Sequence, residues 1–536
     1  MKNNFDKTVF LTRFGLRRDR WSLVAWILVL AGLMASVAYK FEGIYGTSSS
    51  IAAIENTLKS PAMIALFGKF NTPMKQSADV FGTEMLIFMA LMMVIMNIYF
   101  AIRGSRNEED SGLTELLASH SIGRMANILA VSLELLLINV VVGILFSIGI
   151  QFSGMQGIDT NGSWLLGMVL ASVGLFFGMV GLLSAQIADN SRNATTISYG
   201  IFGLFYILRM YTDLKKPSAT WLNPFGIIEK ISAFHNNDWR PVWILGVVSL
   251  VVWALVLFAN QHRDIGSGLI ATRPGRANAS SFLRGPITLV MQLHRTSIIV
   301  WIIGLFILGT TYGSIFNTIG NILKTNPTMQ TVFGKAAVNA ANHQILLNFV
   351  SVITIVCVGL AAIPAIQAMN SLKKDQTKGY LENIFAKQVS RVHVFGSYLI
   401  TAIIAGELSF IASLMGLYLA GNAVLNHGKL GFQIYLNAFI AYSPTILTAV
   451  AISAFFVGMW PKGALASWIY VFYGIYSMYL GSLLKLPEWA KKFTAFGWAN
   501  KVPVHQVDYG YFGVLILITV VLIAVGIWRY QRRDLS

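Results

Sequence analysis

Apolar runs long enough to cross a bilayer recur from Trp21 almost to the C-terminal end, and this repetition constrains the fold of the chain more than any other feature. A hydrocarbon layer of about 30 Å needs about 20 apolar helical residues per crossing. By that measure twelve spans are expected, at 21–39, 81–101, 125–150, 164–187, 195–211, 241–260, 296–312, 344–367, 393–419, 435–459, 464–482 and 510–529. No stretch between them is long enough for an independent globular domain. Only 12% of the 536 residues are charged, about half of what a soluble chain carries. The expected fold class is therefore an all-α polytopic membrane protein.

Orientation follows from the basic residues. An even number of spans puts both ends on one side, and all arginines except Arg209 and Arg240 fall in loops on that side. The positive-inside tendency then makes both termini cytoplasmic. The opening segment MKNNFDKTVFLTRFGLRRDR has no short apolar core with a small-residue cleavage site, which predicts a retained cytoplasmic arm. The net charge of +17 is spread over many short loops and forms no single basic face, so lipid contact is expected and nucleic-acid binding is not. The one cysteine, Cys357, lies in an apolar run and reads as a core residue. His120, His294 and His343 have no metal-ligand spacing, so no metal site is expected. The N-x-[ST] matches at Asn161, Asn193 and Asn278 are short enough to arise by chance.

Self-comparison divides the chain into two similar halves. Arg20-x-Ser22-x-x-x-Trp26 recurs as Arg295-x-Ser297-x-x-x-Trp301, and LKSPAMIALFGK (58–69) as LKTNPTMQTVFGK (323–335). NEEDSGLTELLASHSIGR (107–124) recurs as KDQTKGYLENIFAKQVSR (374–391), with Gly112/Gly379, Glu115/Glu382 and Arg124/Arg391 in register. LKKP (214–217) pairs with LKLP (484–487), Phe225-Gly226 with Phe496-Gly497, and QHRDI (261–265) with QRRDL (531–535). Several of these matches are polar loop residues, which hydropathy alone does not require. The expected organisation is a first six-span half at 1–265, a cytoplasmic linker at 266–285 and a second six-span half at 286–536, the two repeats parallel. Such repeats, related by an axis along the membrane normal, are a transporter signature.

Ionisable groups deep in a membrane are usually functional. The deep candidates are Glu134, Glu407 and Arg209. Glu134 and Glu407 do not occupy equivalent repeat positions, and neither has an obvious sequence partner. The loops at 107–124 and 374–391 carry more chemistry. Each joins two spans over about 23 to 25 residues, whereas a tight helix connection needs 2–8. In the first, Leu113, Leu116 and Leu117 fall on one side of a short amphipathic helix after the acidic pair Glu108-Glu109. A helix that short is not stable alone, so a cytoplasmic partner is expected to cover it.

These paired loops, the Phe-Gly turn before the last span of each half and the arginine-aspartate ending of each half resemble the permeases of the ABC type 2 transporter superfamily. More closely they resemble its twelve-span, fused-duplex exporters of polyketide antibiotics, over essentially the whole chain. The resemblance implies a separate ATP-binding subunit, two copies of which dock on the two loops, with ATP and Mg2+ held there. It places Glu108, Glu109, Gly112, Glu115, Leu116 and Arg124, with Gly379, Glu382, Ile384 and Arg391, in the coupling region. The second loop departs from the first, with Asp375-Gln376 for Glu108-Glu109. The chain itself has no G-x-x-x-x-G-K-[ST] loop around its Gly-Lys pairs at 68–69, 334–335 and 428–429, so no nucleotide or other cofactor is expected on it.

The amphipathic segments TVFLTRFGLRRDR, before span 1, and LRGPITLVMQLHR (283–295), before span 7, suit the membrane surface, and the resemblance implies helices lying flat there. The irregular stretches LKKPSATWLNPFGIIEKISAF and LKLPEWAKKFTAFGWANKVP suit either short re-entrant helices or interfacial loops. Met85, Met89, Met92, Met93 and Met96 on span 2, Phe202, Phe205 and Tyr206 on span 5, and Tyr470, Tyr473 and Tyr476 on span 11 read either as helix packing or as an adaptable apolar path. The scarcity of charge there favours a hydrophobic or amphipathic small molecule. The expectation is a non-enzymatic exporter permease in the cell membrane. The rivals are an ion-coupled carrier using Glu134 or Glu407, and a membrane-embedded lipid-modifying enzyme or scaffold, which would want clustered His, Asp or Glu.

Overall fold

The structure is a computed structural model that describes residues 4–59, 61–70, 72–119, 122–264, 266–270, 278–316, 335–425, 428–479, 487–499 and 502–533. The repeat segment at 323–334, His120, residues 484–486 of the LKLP match and residues 271–277 of the expected linker lie outside the described residues. All regular structure among those described is helical. The chain divides into two compact units, Met1–Gly275 and Arg276–Ser536.

The first unit holds α1 (Thr8–Tyr45), α2 (Ser48–Leu58), α3 (Pro61–Phe67), α4 (Ser77–Gly104), α5 (Arg106–Asp110), α6 (Leu113–Ala118), α7 (Ala126–Gln151), α8 (Thr160–Ile187), α9 (Ser191–Lys215), α10 (Pro224–Ile228) and α11 (Arg240–His262). The second holds α12 (Pro286–Gly313), α13 (Lys335–Thr377), α14 (Glu382–Phe385), α15 (Arg391–Val424), α16 (Phe432–Met459), α17 (Leu465–Tyr479), α18 (Glu488–Lys491) and α19 (Tyr509–Arg532). Among the described residues ten helices are long and apolar enough to cross a membrane: α1, α4, α7, α8, α11, α12, α13, α15, α16 and α19. The protein is a multi-pass membrane protein.

The two expected spans outside that set are α9 and α17, and the reasons differ. α9 is long but carries Arg192, Arg209 and Asp213 among serines and threonines. α17 is described for 15 residues only. Each is followed by a short broken segment that folds back on it. In the first unit that segment is the 3-10 turn Pro217–Leu222, α10 and the 3-10 turn Glu229–Ile231. In the second it is α18 and the 3-10 turn Ala495–Gly497. Phe225 and Phe496 are both fully buried at these places. The glycines beside them are required sterically. A Cβ on Gly226 would sit 2.3 Å from the Thr220 carbonyl oxygen, and one on Gly497 2.1 Å from that of Lys491.

Two expectations are corrected. The lead-in segments are not separate helices, because α1 runs unbroken from Thr8 and α12 from Pro286. Nothing between Thr8 and Trp21 breaks the hydrogen-bond ladder, so the amphipathic part and the span are one rod. At 1.5 Å per residue α1 is about 57 Å long, well over the hydrocarbon thickness. The second connecting loop is also shorter than expected, since α13 continues to Thr377 and leaves 378–390 before α15. In the first unit the helix stops at Gly104, packed so closely on α7 that a Cβ there would lie 2.9 Å from Val131. The second unit has Ser371-Leu372 at the corresponding positions of the repeat, and the helix runs on.

Candidate functional site

The acidic turn of the first loop is held by buried guanidinium groups. Arg106, 1% exposed, donates from Nη1 to Glu109 Oε2 at 2.8 Å and to the Ser267 carbonyl at 2.9 Å. Its Nη2 reaches the carbonyls of Gly266, at 3.0 Å, and Asp189. Arg263, just past α11, donates to Glu109 Oε2 at 2.8 Å and to Gln186 Oε1, on α8, at 2.7 Å, and its Nη2 pairs with Glu109 Oε1. Arg124 closes the chain of contacts by donating to the Arg263 carbonyl at 2.7 Å. The first residues of the expected linker are part of this assembly, because Leu269 and Ile270 donate main-chain bonds to the Gln186 and Ile187 carbonyls at the end of α8. Glu108 faces the other way and pairs with Arg18 on α1.

The same route of contacts recurs in the second unit with different charge. Arg391 donates to the carbonyls of Gln531 and Arg533, at 3.0 and 2.7 Å. Arg533 donates to the Val457 carbonyl at the end of α16 at 2.9 Å, and to Gln376 Oε1 at 2.7 Å. Arg533 corresponds to Arg263 and Gln376 to Glu109. Where the first unit has an ion pair, the second has a neutral amide. Burial lowers the Arg533 pKa below its usual value, and among the described residues no carboxylate is bonded to it. Asp375, which corresponds to Glu108, accepts from the Tyr398 hydroxyl at 2.7 Å.

Beyond each tied turn comes a glycine in the left-handed region, Gly112 at φ 76° and Gly379 at φ 72°, where side chains are rare. These glycines turn the chain into α6 and towards α14. Leu117 in the first loop is partly buried against an apolar cluster, and in the second Leu381 is buried in one with Ile384 packed against it. Leu113 and Leu116 are 46% and 62% exposed, and Tyr380, which corresponds to Leu113, is 57% exposed. Glu115 and Glu382 are exposed beside them. The three leucines of the first loop therefore do not share a face: one anchors the helix and two face outward.

Glu134 is buried on α7 about 12 Å from the loop end of the helix. It has charged neighbours that its local sequence does not reveal, namely Asp19 and Arg18 on α1 and Arg103 on α4. Asp19, itself 2% exposed, pairs with Arg18 at 2.7 Å and with Arg103 at 2.6 Å. Glu134 thus belongs to the base of the bundle. Glu407 sits midway along α15, with Ser443 Oγ donating to its Oε1 at 2.9 Å.

At the other end of the first unit Arg209 is fully buried and ties three segments together. It pairs with Glu229 Oε1 at 3.1 Å and Asp213 Oδ2 at 3.7 Å, and it donates to the carbonyls of Ala65 and Leu66 on α3. It also lies 4.7 Å over the Tyr206 ring. Burial raises Glu229 to about 8, with Arg209 opposing the shift. A recess of about 50 Å³ lined by Gly68, Asp79, Thr83 and Glu229 opens beside this group.

Comparison with known proteins places the chain. The family model described as "Multidrug efflux system permease Rv1217c, C-terminal domain" matches residues 12–259 and 283–531, two stretches of near-equal length that together cover most of the chain. The chain belongs to this family. A curated relative, "Multidrug efflux system permease protein Rv1217c" of Mycobacterium tuberculosis (strain ATCC 25618 / H37Rv), is 27% identical over 538 residues, covering 99% of this chain and 96% of the relative. The family is one of efflux-system permeases, which supports transport without chemistry on the chain.

Within this permease the residues suggested for an apolar path are mostly packed in the conformation described. Met89 and Met96 are fully buried in the first unit's core, and Met85 and Met92 are partly buried against it. Phe202 and Phe205 lie 5.9 and 6.2 Å from Phe177 on α8, and Tyr206 lies 5.9 Å from Phe225. On α17, Tyr473 donates to the Ala490 carbonyl at 3.0 Å, while Tyr476 is 47% exposed. Sequence reasoning missed Arg106, Arg263 and the Arg18–Asp19–Arg103 group. The repeat of QHRDI as QRRDL was the available signal for Arg263. For Asp19 there was none, because its partners lie on helices distant in sequence.

Proposed function

We propose that this permease is the membrane subunit of an ATP-driven exporter in the cell membrane, with both termini cytoplasmic and twelve spans arranged as two parallel six-span repeats. The single observation that carries the reading is the pair of loops, each tied by an arginine to the end of its unit's last helix, each turned by a left-handed glycine, and each presenting an exposed glutamate beside an apolar residue. A loop bound in this way moves with the helices it is tied to, so a push on Glu115 or Glu382 reaches the spans. Two copies of an ATP-binding subunit, carrying ATP and Mg2+, would supply the push by favouring one of two conformations of each bundle.

The match of one family model to two stretches of near-equal length supports the duplication. The name of the Mycobacterium tuberculosis relative supports a drug-like, hydrophobic or amphipathic cargo, and the narrower resemblance would make it an antibiotic. No role for nucleic acid or for a metal on this chain enters the reading. The test is co-expression with candidate ATP-binding subunits. The expected result is a copurifying ATPase whose drug-stimulated activity is lost in Glu115→Lys/Glu382→Lys while the permease keeps its elution profile. Cargo movement by the purified chain alone, driven by a proton gradient and abolished by Glu134→Gln or Glu407→Gln, would instead establish the ion-coupled alternative, which the lone carboxyl at Glu407 favours.

A further inference from the structure

Glu407 is the sixteenth residue beyond Arg391, the first residue of the 34-residue α15, so it lies about 24 Å from either end, at mid-depth of the span. A charged side chain at that depth is costly, and natural examples have a partner. Ser443 on α16 supplies one hydroxyl hydrogen bond to Oε1. The second oxygen, Oε2, is shielded from solvent and has no hydrogen-bond partner.

Among the described residues no cation is bonded to Glu407. α15 packs against α12, α13, α16 and α19. The ionisable residues of α12 are His294 and Arg295, and those described on α13 are His343, Lys373, Lys374 and Asp375, all towards helix ends. α19 has Arg529 and Arg532 in its last turn, and α15 itself has Arg391 and His393 in its first. α16 has none, its Tyr435 and Tyr442 apart. Tyr312 on α12, Cys357 on α13, Tyr398 and Tyr418 on α15, and Tyr509, Tyr511 and Tyr530 on α19 complete the described titratable groups of this packing. Among the described residues none of these charged groups bonds to the Glu407 carboxyl. Glu134, by contrast, has two arginines close by.

One turn away on each helix stands an aromatic ring. Phe410 is at i+3 from Glu407 and Phe439 is at i−4 from Ser443, which places both beside the carboxyl. Their centroids are 5.8 Å apart with planes inclined by 30°. Glu407, Ser443 and Phe439 are each only partly buried, so this face is not sealed inside the unit. A carboxyl with one unused oxygen, an aromatic ring and apolar surroundings match the chemistry of a cation with a large apolar body.

We propose that Glu407 is a binding residue for lipophilic monocations, its missing countercharge being supplied by a proton when the site is empty and by the cargo when it is filled. Binding is then an exchange: the carboxyl proton leaves to water and the cargo's positive charge takes its place. The inference rests on the exporter reading for its word cargo, and its test needs neither ATP nor a partner. Full-length chain in lipid nanodiscs is titrated with tetraphenylphosphonium and, as a neutral aromatic control, with triphenylphosphine oxide, at pH 6, 7 and 8.

The wild type is expected to bind the cation more tightly as pH rises. Glu407→Gln is expected to weaken the cation about tenfold or more, to flatten the pH dependence and to leave the neutral probe unchanged, whereas Glu407→Asp keeps the cation preference. Equal cation binding by Glu407→Gln, equal loss of both probes, or no cation binding by the wild type each overturns the proposal. If cation binding follows Glu407 while no ATP-binding subunit ever stimulates transport, the exporter reading fails and the site stands.

Discussion

Neutralising one carboxylate in the first loop tests whether its junction is held by charge. Glu109 is shared by Arg106 and Arg263, whose side chains are 1% and 3% exposed, and is itself 7% exposed. Glu109→Gln removes the charge and leaves two buried guanidinium groups beside each other. Breaking a buried ion pair by removing one partner costs about 3–5 kcal/mol. The glutamine oxygen still accepts one bond, so the lower figure, about 3 kcal/mol, applies. At about 1.4 kcal/mol per decade this is an acceleration of local opening of roughly a hundredfold.

Hydrogen exchange of the reconstituted protein reads it at amides whose bonds depend on the junction: Glu108, Ser111 and Gly112 in the loop, and Leu269 and Ile270, which donate to carbonyls at the end of α8. The reciprocal change, Gln376→Glu, gives Arg533 the carboxylate it lacks and is expected to slow exchange at Lys378, Gly379 and Tyr380. The two variants must move in opposite directions. Exchange within threefold of wild type in Glu109→Gln, or faster exchange in Gln376→Glu, would refute the argument that charge holds the first loop and its absence loosens the second.

Three further outcomes are expected. Gly226→Ala and Gly497→Ala push a methyl group against a carbonyl oxygen, and each should destabilise its unit by about 1–3 kcal/mol, read as a lower melting temperature; an unchanged melting temperature would show that the backbone yields there. Asn97 and Asn139 exchange side-chain bonds between α4 and α7, one of them 3.0 Å long, so a double-mutant cycle to alanine should give a coupling of about 0.6–1.7 kcal/mol, and additive effects would remove the clasp. Burial raises Glu229 from an unfolded value near 4.5 to about 8, so its contribution is complete below about pH 4.5 and declines as pH rises to about 8; melting temperature should fall over that window in the wild type and less in Glu229→Gln, and identical slopes would show that Glu229 does not set the pH dependence.

Much of the architecture was legible because hydropathy and register are local properties of the chain. Ten of the expected spans are helices of sufficient length and apolarity, and the Phe-Gly pairs fall at matching places in the two units. The outlines of the candidate loops were legible too, since glycines in register marked left-handed turns. Their attachment was not. Glu109 reads in sequence as one more acidic loop residue, and only folding brings Arg263, 154 positions away, against it. Leu113, Leu116 and Leu117 share an apolar character, and which of them turns inward depends on where α7 and α1 lie. The methionines of α4 illustrate the same ambiguity, because an adaptable binding wall and a core stripe have one composition.

Composition and periodicity by themselves determined that the chain is a multi-pass helical protein, since continuous apolar runs of about 20 residues match the length of a spanning helix and not the shorter, alternating strands of a barrel. They also showed that its two halves repeat each other's polar landmarks. Tertiary structure alone decided which charges meet: Glu134 beside arginines at the base of its bundle, Glu407 with no cation bonded to it among the described residues, and one junction ionic where its counterpart is neutral. Electrostatic energy depends on distance through space and on exclusion of water, and neither quantity is written along the chain.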